Sequence, residues 1–555
     1  MIETTVTRPT ATPRWGMVVD LNRCVGCQTC TIACKHANDT APDVQWRRVI
    51  DVEQGTFPNV ERLFVVTGCQ HCAEPPCVPV CPTGATRQRE DGLVTIDYDV
   101  CIGCAYCVVS CPYQARTIDH DAKGYYGAHT RQEKATAHPE RVGVAQKCTF
   151  CQTRVDAGVA AGKVPGVDMD ATPACAASCI SQAIRFGDFN DEQSVVSQLV
   201  REQPTLQLNE ELGTKPQIRY LYTTPAVPGR EAEAGTQEDE ERAADPANPL
   251  VGQVQQFWDW RAAMNWIFGG VGTGLALFGG LMAGTGLLRP DSGRALLALA
   301  GLLIATGLFF VFLKIGRKLR FWRAVSRPQT SWMTRELYVA LLFFPTTALA
   351  VWSASRPLFV AAALLAGAFL YCQAQILQRA RGIPAWRAPL IPAALLWSGL
   401  LEGWGLLCIA LVALGTQIGA GLPALGLVLA AVHGLVWRRY VKSAAANGIA
   451  PLSRAVLQRL LLPVHLMSHV LPALLAVLAL MLPASRWWAL PLAGGFAVAG
   501  GATWKFGVIV KASHTQGFSL RKLPRRGSGT LAAPPRMEGH STGPIVFKPG
   551  SVSIT

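Results

Sequence analysis

The sequence is short of carboxylates, and its first residues form no apolar run. Asp and Glu number 37 against 51 Lys and Arg over 555 residues. Long apolar runs fill the second half but hold few acids, whereas an ion pump needs paired carboxylates or lysines along several helices. Met1 to Arg14 is polar, with Thr and Pro throughout, so no secretory signal is expected there. Phosphate-cradling loops and activated nucleophiles are missing, so the chemistry on any substrate is expected to lie in another chain. Outside the stretch from Cys24 to Cys179 only two cysteines occur, Cys372 and Cys408, and these are read as packing residues. The net charge of +14 would suit nucleic acid, but the excess sits in loops between apolar runs, so no nucleic acid partner is expected.

Sixteen of the 18 cysteines fall into four groups of four. Cys24, Cys27, Cys30 and Cys34 read C-x-x-C-x-x-C-x-x-x-C, and Cys101, Cys104, Cys107 and Cys111 repeat that spacing. Cys69, Cys72, Cys77 and Cys81 have a wider central gap, and Cys148, Cys151, Cys175 and Cys179 a wider one still. Three thiolates in one tight loop suit three corners of a [4Fe–4S] cubane. A disulfide framework fits badly with a chain that is not expected to be exported, and zinc sites close with two separated pairs. The count predicts four cubanes with no ligand left over, and therefore a wire for single electrons.

At this length the chain holds more than one domain. Residues 1–13 are expected to be disordered. Residues 14–222 are read as an α+β tandem bacterial-ferredoxin-like domain of two modules, each with two cubanes. Strand-like runs lie at Trp15–Leu21, Leu63–Thr67 and Leu93–Tyr98. Gln152–Ala174, with its glycines and prolines, is read as an inserted loop. Residues 223–250 are read as a flexible acidic linker. Residues 251–511 are read as an all-α polytopic membrane bundle of eight helices. The spans are Met264–Leu288, Ala295–Leu313, Leu337–Ser353, Leu358–Ile376, Leu390–Leu414, Leu422–Trp437, Leu460–Leu482 and Trp487–Val510. Most approach the roughly 20 residues needed to cross a hydrocarbon core of about 30 Å. Residues 512–555 are expected to form a disordered basic tail.

The loops alternate in charge. Those after the second, fourth, sixth and eighth segments hold twenty Lys and Arg, beginning with Lys314 and ending with Arg526. The opposite loops hold only Arg289, Arg294, Arg356 and Arg486. The positive-inside rule then predicts a multi-pass protein of the bacterial inner (cytoplasmic) membrane, with the cysteine-rich domain and both termini in the cytoplasm.

Three stretches, Arg23–Cys30, Cys77–Ala85 and Cys101–Cys107, resemble the complex iron–sulfur molybdoenzymes of the dimethyl sulfoxide reductase type. Trp15 to about Phe189 resembles their four-cluster subunit, and Asn265 to Lys511 their eight-helix anchor, so the chain looks like a natural fusion of the two. The resemblance implies a partner, a catalytic subunit holding molybdenum on two pyranopterins, and exchange with menaquinone or ubiquinone in the membrane. It also implies cross-ligation, the fourth cysteine of each group reaching the neighbouring cluster. Cys24, Cys27 and Cys30 would join Cys179; Cys148, Cys151 and Cys175 would join Cys34; Cys69, Cys72 and Cys77 would join Cys111; Cys101, Cys104 and Cys107 would join Cys81. The orientation resembles cytoplasm-facing members that oxidise phenylacetyl-CoA or sulfite and reduce quinone. Relatives that run from quinol to a sulfoxide or N-oxide, or a tethered protein with no quinone site, are the alternatives.

Ionisable groups inside a membrane are costly and mark functional sites. The candidates for the quinone site are Glu402, His433, His465, His469 and Lys505. Counting about 1.5 Å per residue puts His465 and Lys505 roughly 8 Å below the basic-loop boundary and Glu402 about 18 Å in. His465 or His469 is expected to bond a quinone carbonyl, and Glu402 to belong to a proton route. Lys505 has a competing reading, in which it snorkels to the headgroups. Haem held by His433 and His465 is a rival reading, but no haem is expected in this type of anchor.

Overall fold

The computed structural model describes residues 12–56, 59–121, 124–221 and 244–518. The readings for residues 1–11, for most of the linker and for the tail beyond 518 lie outside the described residues.

The first half is built from ten short strands: β1 (Trp15–Asp20), β2 (Arg47–Thr56), β3 (Asn59–Gly68), β4 (Thr86–Gln88), β5 (Val94–Ile96), β6 (Arg116–Ile118), β7 (Ala145–Lys147), β8 (Ile184–Asp188), β9 (Thr205–Leu206) and β10 (Ile218–Leu221). One four-stranded sheet runs β8–β1–β10–β9, and the remaining strands pair as the antiparallel hairpins β2–β3, β4–β5 and β6–β7. The large sheet closes the domain on itself. β1 pairs antiparallel with β8 and parallel with β10, so the start of the domain is clamped between strands from its end. Its alternation decides which face looks where. Trp15, Met17 and Val19 join the core that holds most of the cysteines, while Val18 meets Val196 and Leu221 behind the sheet. Two helices matter below: α1 (Thr29–Ala37), entered from the first cysteine loop, and α2 (Gln152–Ala160). The second corrects the reading of Gln152–Ala174 as a loop. A Cβ on Gly158 would strike Ala171, so this glycine lets the next turn pack closely rather than ending a helix.

Eight helices among the described residues are long and apolar enough to cross a membrane: α3 (Trp260–Gly284), α4 (Pro290–Lys314), α5 (Trp332–Ser353), α6 (Arg356–Gln378), α7 (Ile391–Ala413), α8 (Gly421–Lys442), α9 (Pro451–Met481) and α10 (Pro483–Lys511). Several extend past the apolar spans, because their end turns are amphipathic and lie at the rim, where Arg, Trp and Ser can face either way. The most apolar stretches of α3 and α7 are each 61% buried, against 28% for α4 and α5, so the first pair forms the centre of the bundle. Their contact is made by glycines. A Cβ on Gly274 would meet Gly399 and Gly403, which lets the two backbones approach as small residues do in membranes.

Two boundaries are corrected. Leu250, read as linker, is buried, and its carbonyl accepts the N–H of Phe518 at 2.9 Å. Ala512–Phe518, read as disordered tail, is ordered. Ser513 and His514 are buried, and Gln255 and Thr515 exchange backbone hydrogen bonds across to residues 513 and 253. The segment entering α3 and the segment leaving α10, joined by an isolated bridge between Val254 and His514, thus form a clasp between the two halves of the chain.

Candidate metal centres and the polar interior of the bundle

The two matching cysteine loops adopt the same backbone. Gly26 and Gln28 have φ of 69° and 62°, and Gly103 and Ala105 have 71° and 63°. Left-handed residues on either side of Cys27 and Cys104 curl the loop so that its N–H groups face inward, a concavity suited to an anionic group. Cys24, Cys27, Cys30 and Cys179 line one cavity, and Cys69, Cys72, Cys77 and Cys111 another. Cys34 has the thiols of Cys148, Cys175 and Cys151 and the Arg47 guanidinium around it, and the Asn38 amide reaches Cys34 Sγ at 3.8 Å and Cys151 Sγ at 3.7 Å. Cys104 has Cys107, Cys81 and Cys101 around it. No three of the described His, Cys, Asp or Glu side chains come close enough to share one metal ion, and no cysteine is in a disulfide. Two of the four sets of thiols instead line cavities.

Buried cations occupy the gaps between these spaces. Arg47, Arg116 and Lys147 are 0%, 4% and 1% exposed. Arg116 donates to Cys77 Sγ at 3.1 Å and Arg47 to Cys175 Sγ at 3.7 Å, while Lys147 Nζ donates to the Cys148 carbonyl at 2.8 Å. Two further nitrogens of Arg47 have no hydrogen-bond partner. Burial opposes the charge on Arg47, but Cys175, Cys148, Cys34 and Cys30 hold its pKa above the ordinary value. Burial also pushes the thiols of Cys30, Cys77, Cys107 and Cys111 up to about 11, with Arg47 or Arg116 opposing it at Cys30, Cys77 and Cys107 and Cys77 adding to it at Cys111. Cations with thiolates and no carboxylates around them fit a bound iron–sulfur cluster, whose cysteine-ligated core is anionic. His71, fully buried, receives the Val94 N–H at Nδ1, so its proton sits on Nε2, facing the Cys148 carbonyl at 3.0 Å.

The cysteine-rich domain rests on the end of the bundle that carries the basic loops. Gly316 and Arg317 donate backbone N–H groups to the Gly103 and Ile102 carbonyls, and Gly382 to that of Val109. Arg320 reaches the Tyr98 carbonyl at 2.8 Å, Ser331 that of Val80 at 3.0 Å, and Tyr106 that of Ile376 at 2.7 Å. Cys81, Cys101, Cys104 and Cys107 are therefore the group beside the membrane segments.

Inside the bundle the sequence-derived candidates meet in two linked groups. His469 lies between the other histidines, with Nε2 2.9 Å from His433 Nδ1 and Nδ1 3.0 Å from His465 Nδ1. His465 and His469 stand on a π-helical turn, His465–Val470, which follows Pro463. The pairing of His433 with His465 on one iron is not formed, because His469 intervenes. Lys505 does not snorkel. It lies 2.7 Å from Glu402, with both side chains 1% exposed, and also donates to the Trp266 carbonyl at 2.9 Å. The difference in depth expected between Glu402 and Lys505 does not keep their side chains apart, since the ammonium reaches the carboxylate. Ser398 bonds the other Glu402 oxygen and accepts Trp504 Nε1–H at 2.8 Å. The Trp504 ring stands 5.9 Å from His433, which links the two groups.

Sequence reasoning missed a third group. Glu336, on α5, is buried against the amides of Asn265 and Gln373, and one oxygen of each has no hydrogen bond. Glu336 stood one residue outside the apolar span, and neither amide is ionisable, so nothing in the pattern marked them. Lys314, counted above as a loop charge, is the last residue of α4 and is buried.

Comparison with known proteins supports this reading. Residues 60–127 match the model of a 4Fe-4S dicluster domain. The B subunit of the selenate reductase of Mesobacillus selenatarsenatis is 41% identical over 224 residues, covering 38% of this chain and 72% of the relative. The B subunit of the sulfite dehydrogenase of Allochromatium vinosum is 40% identical, covering 37% of this chain and 81% of the relative. The putative dimethyl sulfoxide reductase iron–sulfur subunit of Halobacterium salinarum is 37% identical over 262 residues, covering 44% of this chain and 94% of the relative. A match of that extent, with the cysteine loops and the eight helices beyond them, means that the chain belongs to the family of iron–sulfur subunits of dimethyl sulfoxide reductase-type molybdoenzymes, here continuous with a membrane anchor.

Proposed function

We propose that this electron-transfer subunit carries electrons through four [4Fe–4S] clusters between a molybdenum bis-pyranopterin catalytic subunit and the quinone pool. The clusters would be held by Cys24, Cys27, Cys30 and Cys179; by Cys34, Cys148, Cys151 and Cys175; by Cys69, Cys72, Cys77 and Cys111; and by Cys81, Cys101, Cys104 and Cys107. Each cluster, when bound, supplies a site for one electron at a time. The observation that carries the reading is the gathering of the cysteines into four groups of four, with one group seated against the membrane helices. At the opposite end Cys27 is exposed, with Val25, Ile32 and Ile180 exposed around it, a surface suited to a docked catalytic partner. The basic loops favour a cytoplasmic location for the clusters. That location, and the likeness to a sulfite dehydrogenase subunit, favour oxidation of a substrate of the sulfite or phenylacetyl-CoA kind with quinone as acceptor. Likeness to a selenate reductase subunit supports the reverse flow as the alternative.

At the membrane end, His465 and His469 would hold a quinone carbonyl, and Glu402 would move its proton through Ser398 and Lys505. A second reading puts the quinone at Glu336, Asn265 and Gln373, favoured by their unpartnered oxygens, which could accept from quinol hydroxyls near Tyr106. Purified protein should contain about 16 iron per chain, four for each cubane. Zinc in place of iron would end the electron-wire reading. Reduction of the clusters by a quinol analogue, followed by EPR, separates the two sites. Loss in Glu336→Gln with full activity in both His465→Ala and His469→Ala favours the second. A reporter fused after Lys511 should be active in the cytoplasm only.

A further inference from the structure

Lys314 has no part in the path described above, yet its setting is specific. The residue is 9% exposed, and its ammonium nitrogen is buried and makes no hydrogen bond. It lies 5.1 Å from the centroid of the Trp258 ring, and Trp258 donates through Nε1 to the Cys104 carbonyl at 3.2 Å. The two N–H groups that follow it along the chain after Ile315 bond to the cysteine loop itself, Gly316 to Gly103 at 3.3 Å and Arg317 to Ile102 at 3.0 Å. A Cβ on Gly103 or on Gly316 would collide with Gly143. The end of α4 is thus seated on the loop of Cys101 and Cys104 with no room to slide, and the ammonium is held there rather than released to the headgroups.

Among the described residues no group pairs with Lys314 where it stands. The charged groups that Lys314 faces are Asp259, Cys104 and Arg261. Asp259 is committed to Arg261, whose Nη2 and Nε lie 2.8 and 3.0 Å from one carboxylate oxygen. Among the described residues Lys314 forms no ion pair. The titratable groups that Cys104 faces most closely are the thiols of Cys107, Cys81 and Cys101. Cys77 and Cys107, by contrast, both feel Arg116.

We propose that Lys314 raises the reduction potential of the cluster held by Cys81, Cys101, Cys104 and Cys107, so that the membrane domain itself sets how readily the last cluster of the path takes an electron. This rests on the assignment of a cubane to those four cysteines. The sign follows from electrostatics. Reduction adds one negative charge to the cluster with no bond made or broken, and Lys314 in its protonated form stabilises that added charge. Through an effective dielectric constant of about 20, a unit charge about 10 Å away changes such an equilibrium on the order of tenfold.

The test is a potentiometric titration followed by EPR on the full chain in detergent. Wild type, Lys314→Met, Lys314→Arg and Cys104→Ser are compared at equal iron content, with Lys314→Gln as a second neutral variant should methionine lower the iron. Cys104→Ser identifies the signal, because it alters or abolishes one of them. That signal is expected to become roughly tenfold harder to reduce in Lys314→Met, about 59 mV for one electron. The other signals should stay in place, and Lys314→Arg should remain near wild type. An unchanged potential in both neutral variants overturns the proposal, as does an equal displacement of every signal or an arginine variant displaced as far as methionine. A wild-type protein with no cluster signal sensitive to Cys104 would overturn the cubane assignment itself.

Discussion

Buried cations occur in both halves of the chain, and they are compensated in different ways. In the bundle, Lys505 has the Glu402 carboxylate 2.7 Å away, and Ser398, Trp504 and the Trp266 carbonyl complete the shell. In the cysteine-rich domain, Arg47 and Arg116 are as deeply buried but have thiols around them and no carboxylate. The polypeptide balances the charge of Lys505 by itself. It does not balance the cluster domain, because buried thiols resist ionisation unless a metal draws off their protons. The difference says which half can fold from its sequence alone.

The largest expected effect follows from this. Removing the iron leaves Arg47, Arg116 and Lys147 buried beside protonated thiols. The cluster domain should then lose most of its stability, on the order of the 5–15 kcal/mol typical of a domain. Hydrogen exchange is the measurement. Amides of β1, β8 and β10 should exchange freely after chelation, while those of α3, α7 and α10 keep their protection. Full protection of β1 in iron-free protein would show that the thiols alone suffice as counter-charge.

Breaking the bundle's pair should cost less. Glu402→Ala leaves Lys505 buried without a counter-charge, which typically costs about 3–5 kcal/mol. The double variant Glu402→Leu, Lys505→Met should recover most of that, because two apolar residues replace two charges. Unfolding by denaturing detergent in mixed micelles reads both. A double variant as unstable as the single one would mean that the network of Ser398 and Trp504, rather than the ion pair, carries the stability.

Gly501→Ala probes the same pair through packing. A Cβ at Gly501 would strike the Glu402 carboxylate. An overpacked core of this kind loses about 1–3 kcal/mol. Combined with Glu402→Ala the penalty should nearly vanish, since residues in contact do not add. Additive losses would place the clash elsewhere.

How far these features could be read beforehand depended on how local they are. The cysteine loops and the eight helices were legible, because ligand spacing and a run of about 20 apolar residues are properties of one stretch of chain. The Glu402–Lys505 pair was not, although both residues were singled out, because it joins positions 103 residues apart and a lysine stem can reach inward or outward. Asn265, Glu336 and Gln373 come from three helices, and two of them carry no charge, so only packing brings them to notice. The clasp at Ala512–Phe518 has a composition that suits a disordered tail; what orders it is the pairing with residues 250–255. Gly158 misled in the opposite sense, standing for a close contact and not for a turn.

The smallest effect is expected where the geometry is as good but the solvent is different. Arg89 grips Asp156, on α2, with two bonds of 2.8 Å, matching in length the contact between Lys505 and Glu402. Their side chains are 34% and 47% exposed. Water screens both charges there, and most of the solvation that each would lose on deep burial is kept in the folded and unfolded states alike. Asp156→Ala should therefore cost less than about 1 kcal/mol in chemical denaturation, even though it removes a bidentate pair. Arg89 keeps Asp91 at 2.8 Å in that variant, so no charge is stranded. A loss approaching that of Glu402→Ala would mean that contact geometry, and not burial, governs the strength of these pairs, and the contrast between the two halves of the chain would have to be drawn on different grounds.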